Sequence, residues 1–199
     1  MNELIAIAEE NDGLLMSKQA RRAGILDSVL VRLAQRGRLE RAARGVYRIA
    51  HYPQARFSQY REAILWAEAS QGPEEAVLSH ETALSVYGIS DANPSQVHTT
   101  VPKSARLPRE RPAWIAIHRH TLGPADVTLH EGLPITTAAR TVADVLDSSG
   151  RINLVRQAIR DARRDRLIND SDKARLHRQV DQFTHRLDEN GSLHEADTK

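Results

Sequence analysis

The chain has 199 residues, 40% of them apolar, with a formal net charge of +2. It holds no cysteine, which excludes disulfides and cysteine-ligated zinc and fits a reducing cytosol. No apolar run of about eighteen residues occurs, so no membrane span is expected, and the length allows one ordinary domain or one small and one medium domain.

The opening, MNELIAIAEENDG, has an acidic flank and no cleavage-type site. Leu4, Ile7 and Ala8 share one helical face, so it reads as an amphipathic first helix and not a signal peptide. In the stretch 13–49, Ser17 stands where an N-cap belongs, and 18–23 can form a short helix. Gly24 ends that helix and starts a tight turn. Asp27 can cap a second helix running to about Arg36, where Gly37 stops it. Two helices across a short glycine turn are the helix-turn-helix pattern. Leu39, Val46, Tyr47 and Ile49, around Arg41, Arg44 and a turn at 42–45, then predict a β-hairpin and hence a winged helix. Such a unit sets one helix in a DNA major groove and the hairpin against the backbone.

The second helix carries the chemistry. Leu30, Leu33 and Ala34 follow helical spacing and face inward, with Ile25 below them. Ser28, Val31, Arg32, Gln35 and Arg36 fall on the other face. Arginine pairs with guanine, glutamine with adenine, and valine can touch a thymine methyl. The plainer alternative is a solvated basic face. The expected DNA-binding set is Lys18, Ser28, Val31, Arg32, Gln35, Arg36, Arg41, Arg44 and Tyr47. Charge distribution agrees. Between positions 18 and 56 ten bases meet only Asp27 and Glu40, a net of +8, whereas 57–199 holds eighteen bases and twenty acids, a net of −2. A basic block confined to a helix-turn-helix is the footprint of a phosphate-binding surface. The acidic remainder is not expected to touch DNA.

Pro53 interrupts the pattern within 51–56, which places a domain boundary there. A helix is expected over 57–70, with Tyr60, Ile64, Leu65 and Ala67 at helical spacing, ended by Gln71, Gly72 and Pro73. Positions 76–78 are a short apolar run, and Ser79 can cap a helix to Tyr87 that Gly88 closes. Strands are expected at 96–101, 114–118, 126–130 and 133–136, with a polar, two-proline loop over 103–112 and a turn at Glu131 and Gly132. Helices follow over 138–147, 154–167 and 170–187. Positions 188–199 are polar and are expected to be disordered. The predicted class is α+β: a winged helix-turn-helix over 1–56, a mixed α/β domain with a small sheet and C-terminal helices over 57–187, and the tail.

Laid in this order, the segments resemble the AbiEi family of antitoxins from type IV toxin–antitoxin systems. The likeness runs from about Glu3 to Ile168. It rests on the wing segment GRLERAARGVYR at 37–48, on VLSHETAL at 77–84, on a strand ending in Val101 and Pro102, and on GLPITTAARTVAD at 132–144. The resemblance implies a cytoplasmic bacterial repressor of its own operon, bound to double-stranded operator DNA with inverted repeats. It also implies a second partner, a nucleotidyltransferase-like toxin, countered without a tight complex. No cofactor and no membrane partner are expected. The tail after Leu167 does not align with the family, and the oligomeric state is left open.

Within 57–187, Arg140 and Asp144 are spaced i, i+4, with Thr137 at the helix cap and Thr141 between them. Arg140, Thr141 and Asp144 are the candidate antitoxin site; the plainer reading is an intrahelical ion pair. His118 and His120 point the same way from one strand, near His98 and His130, but without cysteine or adjacent carboxylates they read as strand surface and not as a zinc site. Ser79, His80 and Glu81 are adjacent, so their side chains should diverge and no triad is expected. A metal-dependent nuclease would need clustered carboxylates, and Asp126, Glu131, Asp144 and Asp147 lack a recognisable spacing. No phosphate loop or nucleophile motif is present, so no catalytic or metal residues are assigned and the chain is not expected to be an enzyme. Two rival readings stand beside this one: a ligand-responsive winged-helix regulator, and an enzyme acting on the toxin or nucleic acid through the second domain.

Overall fold

The computed structural model describes residues 2–69, 76–108 and 110–196. The first fifty positions run α1 (Asn2–Glu9), β1 (Leu14–Met16), α2 (Ser17–Arg22), α3 (Asp27–Gln35), β2 (Leu39–Ala43) and β3 (Val46–Ile49). The strands form an antiparallel sheet in the order β1-β3-β2, so the unit is a winged helix-turn-helix. Its core is Leu4, Ala8, Leu15, Ala20, Leu30, Leu39 and Tyr47, with Ile7, Ile25, Leu33 and Ala34 packed around them. Each such leucine stabilises by about 1.5–3 kcal/mol on burial.

Strand β1 is an addition to the expected plan. Leu14, Leu15 and Met16 are all buried, because the strand is covered on both sides. Leu15 faces the helices, while Leu14 and Met16 face Val46 and Leu65, the latter on α4 (Ser58–Glu68). The caps also differ from expectation. Ser17 is the first residue of α2, and Met16 holds the N-cap position. Met16 has no oxygen to offer, so the Gln19 side chain reaches back and accepts the Met16 N–H at 2.8 Å. The Ser17 N–H donates to the Gly45 carbonyl at 2.8 Å instead. Likewise Leu26 holds the N-cap of α3, and Asp27 sits in the first turn, where its charge suits the helix dipole. Gly13 has φ +83°, and a Cβ there would lie 2.3 Å from the Tyr52 ring, so the close packing requires glycine.

Two compact units divide the chain: Met1–Leu78 with Ser95–Ile135, and Ser79–Pro94 with Thr136–Lys199. They cut the chain differently from the boundary expected near Pro53. The first unit joins the winged helix to α4 and to a five-stranded sheet, order β6-β5-β4-β8-β7. Its strands are β4 (Val77–Leu78), β5 (Val97–Val101), β6 (Ile115–Arg119), β7 (Val127–His130) and β8 (Leu133–Thr136). β4 runs antiparallel to β5 and parallel to β8, and β5 runs parallel to β6. Glu131 and Gly132 link β7 to β8, both in the left-handed region at φ 53° and 72°, as a tight hairpin turn needs. Two ion pairs tie α4 to the winged helix: Arg48 to Glu62 at 2.8 Å and Arg61 to Asp12 at 2.6 Å. The positions expected to end α4, 71–73, lie outside the described residues.

The second unit is helical: α5 (His80–Tyr87), α6 (Ala138–Ser149), α7 (Ile152–Arg164) and α8 (Asp170–Ala196). Val142, Val145 and Leu146 of α6 pack with Val155, Ala158 and Ile159 of α7, Leu84 of α5, and Leu176 and Val180 of α8. Gly88 ends α5 at φ 68°, a left-handed C-cap. The backbone of α8 is helical to Ala196, past Leu187, where disorder was expected. The last three positions lie outside the described residues. The architecture as a whole is α+β.

Candidate nucleic-acid interface

Helix α3 buries Leu30 and half-buries Leu33 and Ala34, and this fixes what its other face presents. Ser28, Val31, Arg32 and Gln35 are all exposed, as is Arg36 at the C-cap. Val31 is 46% exposed on that face. One helical face therefore carries a hydroxyl, a methyl surface, an amide and two guanidiniums.

The wing stands beside it. Arg41 and Arg44 are exposed on β2 and in the β2–β3 turn, where a bulge between Arg41 and Ala43 shifts the register. Val31, Arg41 and Arg44 border one open cleft, together with Arg21, Asp27 and Arg106. Arg21 lies 3.6 Å from Asp27, an exposed pair of little energetic weight. Lys18 is half-buried on α2 with its Nζ shut off from solvent, so it does not present its charge on the exposed face as expected. Tyr47 is buried at 6% exposure within the helix-facing core, since its strand position turns the ring inward. Little of its surface is exposed, and what is exposed borders the same cleft as Val31, Arg41 and Arg44. Arg21 and Arg106 were missed in the sequence, Arg106 because it lies far along the chain in a proline-rich loop.

In the helical unit, Arg140 Nε donates to Asp144 Oδ1 at 2.8 Å, with the side chains 18% and 11% exposed. Thr141 is fully buried, its hydroxyl 2.7 Å from that of Thr136 and donating to the Thr136 carbonyl at 3.1 Å. Tyr87 donates to the same carbonyl at 2.9 Å, and burial pushes its phenol up to about 12. The three candidate residues thus share a helix without sharing a surface: Thr141 points into the core.

Ser79 and His80 do not diverge as expected. His80 adopts φ 53°, a left-handed backbone that brings its Nδ1 to 2.9 Å from the Ser79 hydroxyl, with both residues buried. Glu81 is not their third member, because its carboxylate accepts from Arg151 at 2.9 Å. His118 stacks on His98 across β5 and β6, with ring nitrogens 3.0 Å apart, one donating and the other accepting. Burial, and then the charge of His98, pull His118 down to about 4. Among the described residues no three His, Asp or Glu side chains gather as a metal site. Of the four carboxylates weighed for a nuclease, Asp126 accepts the Gly123 N–H at 2.9 Å and Asp144 is paired with Arg140, while Glu131 and Asp147 are exposed. No described helix is long and apolar enough to cross a membrane.

Comparison with known proteins agrees with this layout. Residues 2–50 match the family model described as "Transcriptional regulator, AbiEi antitoxin", and residues 75–187 match "AbiEi antitoxin C-terminal domain". Neither model describes an enzyme. No curated protein matches the chain. Among solved structures, the RV2827C protein from Mycobacterium tuberculosis is similar at a TM-score of 0.55 and 16% identity, over 87% of this chain and 69% of that one. At that identity the likeness speaks for the fold alone. With one model on the winged helix and the other spanning more than half of the chain, this protein belongs to the AbiEi antitoxin family, whose members are antitoxins and transcriptional regulators.

Proposed function

We propose that this chain is the antitoxin of a type IV toxin–antitoxin system, that it represses its own operon by binding operator DNA in the cytoplasm, and that it counters a nucleotidyltransferase-like toxin. The observation that carries the DNA-binding half is the exposed face of α3, with Ser28, Val31, Arg32, Gln35 and Arg36 beside the wing arginines Arg41 and Arg44. In this reading Arg32 and Gln35 meet base edges while Arg41 and Arg44 meet phosphates. Residues 57–187 carry neutralisation, with Arg140 and Asp144 the first polar pair to test. The experiment is a pair of cell assays with one double variant, Arg32→Ala with Arg44→Ala. It should lose repression of a reporter behind the chain's own upstream DNA and still protect cells from the neighbouring toxin. Loss of both at unchanged stability would refute the division of labour, and retained repression would refute the assignment of α3.

A ligand-responsive regulator is the second reading. A cavity of about 380 Å³ in the sheet unit favours it, lined by Val77, Pro102, Leu122 and Val127 with Glu68 and His120 as polar groups. A small molecule that shifts the melting temperature and changes DNA affinity together would support it.

A further inference from the structure

The cleft beside the wing is not built from the winged helix alone. Arg106 lines it together with Arg21, Arg41 and Arg44. Among the described residues the lining holds these four arginines and one carboxylate, Asp27, an excess of three positive charges. At about 650 Å³ the cleft is far larger than an inorganic ion needs and has the scale of a backbone segment. The net of −2 over 57–199 hides a local reversal: positions 103–111 hold Lys103, Arg106, Arg109 and Arg111 against Glu110 alone. Lys103, Arg106 and Arg111 are exposed.

The loop is also held in place. Arg119, at the end of β6, donates from Nη1 to the carbonyls of Lys103 at 3.1 Å and Ala105 at 2.9 Å. The Ala105 N–H donates to the Pro102 carbonyl at 3.0 Å and closes a turn. One side chain thus fixes the two carbonyls just before Arg106, and Arg106 is presented at the cleft by a pinned backbone. Pre-set geometry of this kind lowers the ordering cost of a phosphate contact.

We infer that the 102–108 loop is a second DNA-binding element, in which Arg106 takes a backbone phosphate flanking the duplex segment held by α3 and the wing, and that Arg119 positions it. The inference rests on the DNA-binding reading of the winged helix. It replaces the expectation that nothing beyond residue 56 touches DNA. A phosphate is the fitting partner because guanidiniums pair with it bidentately, and several of them along one cleft suit a repeating anionic chain.

The test uses the full chain and a labelled duplex of its own upstream region, titrated at several salt concentrations. Arg106→Ala should weaken binding about five- to tenfold and reduce the salt slope by roughly one unit, with sequence preference unchanged. Because the chain has no cysteine, Arg106→Cys can carry an iron chelate that cleaves DNA locally. Cleavage should map to a short window beside the site protected by the protein, and adding Arg119→Gln should broaden that window. Wild-type protein that shows no salt-dependent binding would overturn the underlying reading and this one with it. Wild-type protein that binds and is weakened by Arg44→Ala, but is unaffected by Arg106→Ala and cleaves nothing from position 106, would overturn this inference alone. So would an Arg106→Ala variant that keeps full DNA affinity and loses protection against the toxin, which would give the cleft to a protein.

Discussion

Replacing Arg140 with alanine asks whether the pair on α6 is a site or a strut. An exposed i, i+4 pair contributes about 0.3–0.5 kcal/mol, whereas breaking a fully buried pair costs about 3–5 kcal/mol. Here the two side chains are 18% and 11% exposed and meet at 2.8 Å, which places the pair between those limits. Removing either partner should therefore cost about 2 kcal/mol, or roughly 4–8 °C in melting temperature for a chain of this size. The assay is thermal unfolding of Arg140→Ala, Asp144→Ala and the double variant, run beside protection of cells from the toxin below the melting range. A structural pair predicts that the double variant loses less than the sum of the two singles. It also predicts that protection persists wherever the protein is folded. Lost protection at unchanged melting temperature would refute this reasoning and make the pair a functional site. Two single variants within about 0.5 kcal/mol of wild type would refute the burial argument itself.

Gly13→Ala should destabilise by about 2–4 kcal/mol, combining the positive-φ cost with overpacking against Tyr52, and chemical denaturation of the full chain measures it. His118 has a folded-state pKa of about 4, below its unfolded value near 6.5, so the unfolded chain takes up the proton first as pH falls. Stability from this residue should be complete above about pH 6.5 and decline toward pH 4; His118→Gln should flatten the melting temperature across that window. A wild-type melting temperature that stays level from pH 7 to pH 4.5 would contradict the burial of that ring.

Much of the fold can be read along the chain because its elements follow local rules. α3 shows Leu30, Leu33 and Ala34 at helical spacing, and β8 runs Leu133–Thr136 as expected because the Glu131–Gly132 turn marks its start. What escaped depends on contacts that sequence order does not reveal. β1 has three consecutive apolar residues covered from both sides, so neither alternation nor length marks it as a strand. Leu78 pairs with Ile135 across an excursion into the helical unit, and no local pattern announces that return. The face of α3 was legible because packing one side of a helix defines the other. The left-handed backbone of His80 was not, since nothing in the Ser79–His80–Glu81 sequence requires it. Arg106 was legible only as one base among several in a loop, and its place at the wing is set by Arg119 and the sheet.

The most direct measurement is a salt titration of full-length protein on its own upstream duplex and on a random duplex, for wild type, Arg32→Ala and Arg44→Ala. The account predicts tight, salt-dependent binding that prefers the upstream duplex. Arg32→Ala should lose about 1–3 kcal/mol on that duplex alone, and Arg44→Ala should weaken both duplexes equally with a salt slope lower by roughly one unit. Identical profiles for the two variants on both duplexes, or wild-type binding that ignores salt and sequence, would contradict it.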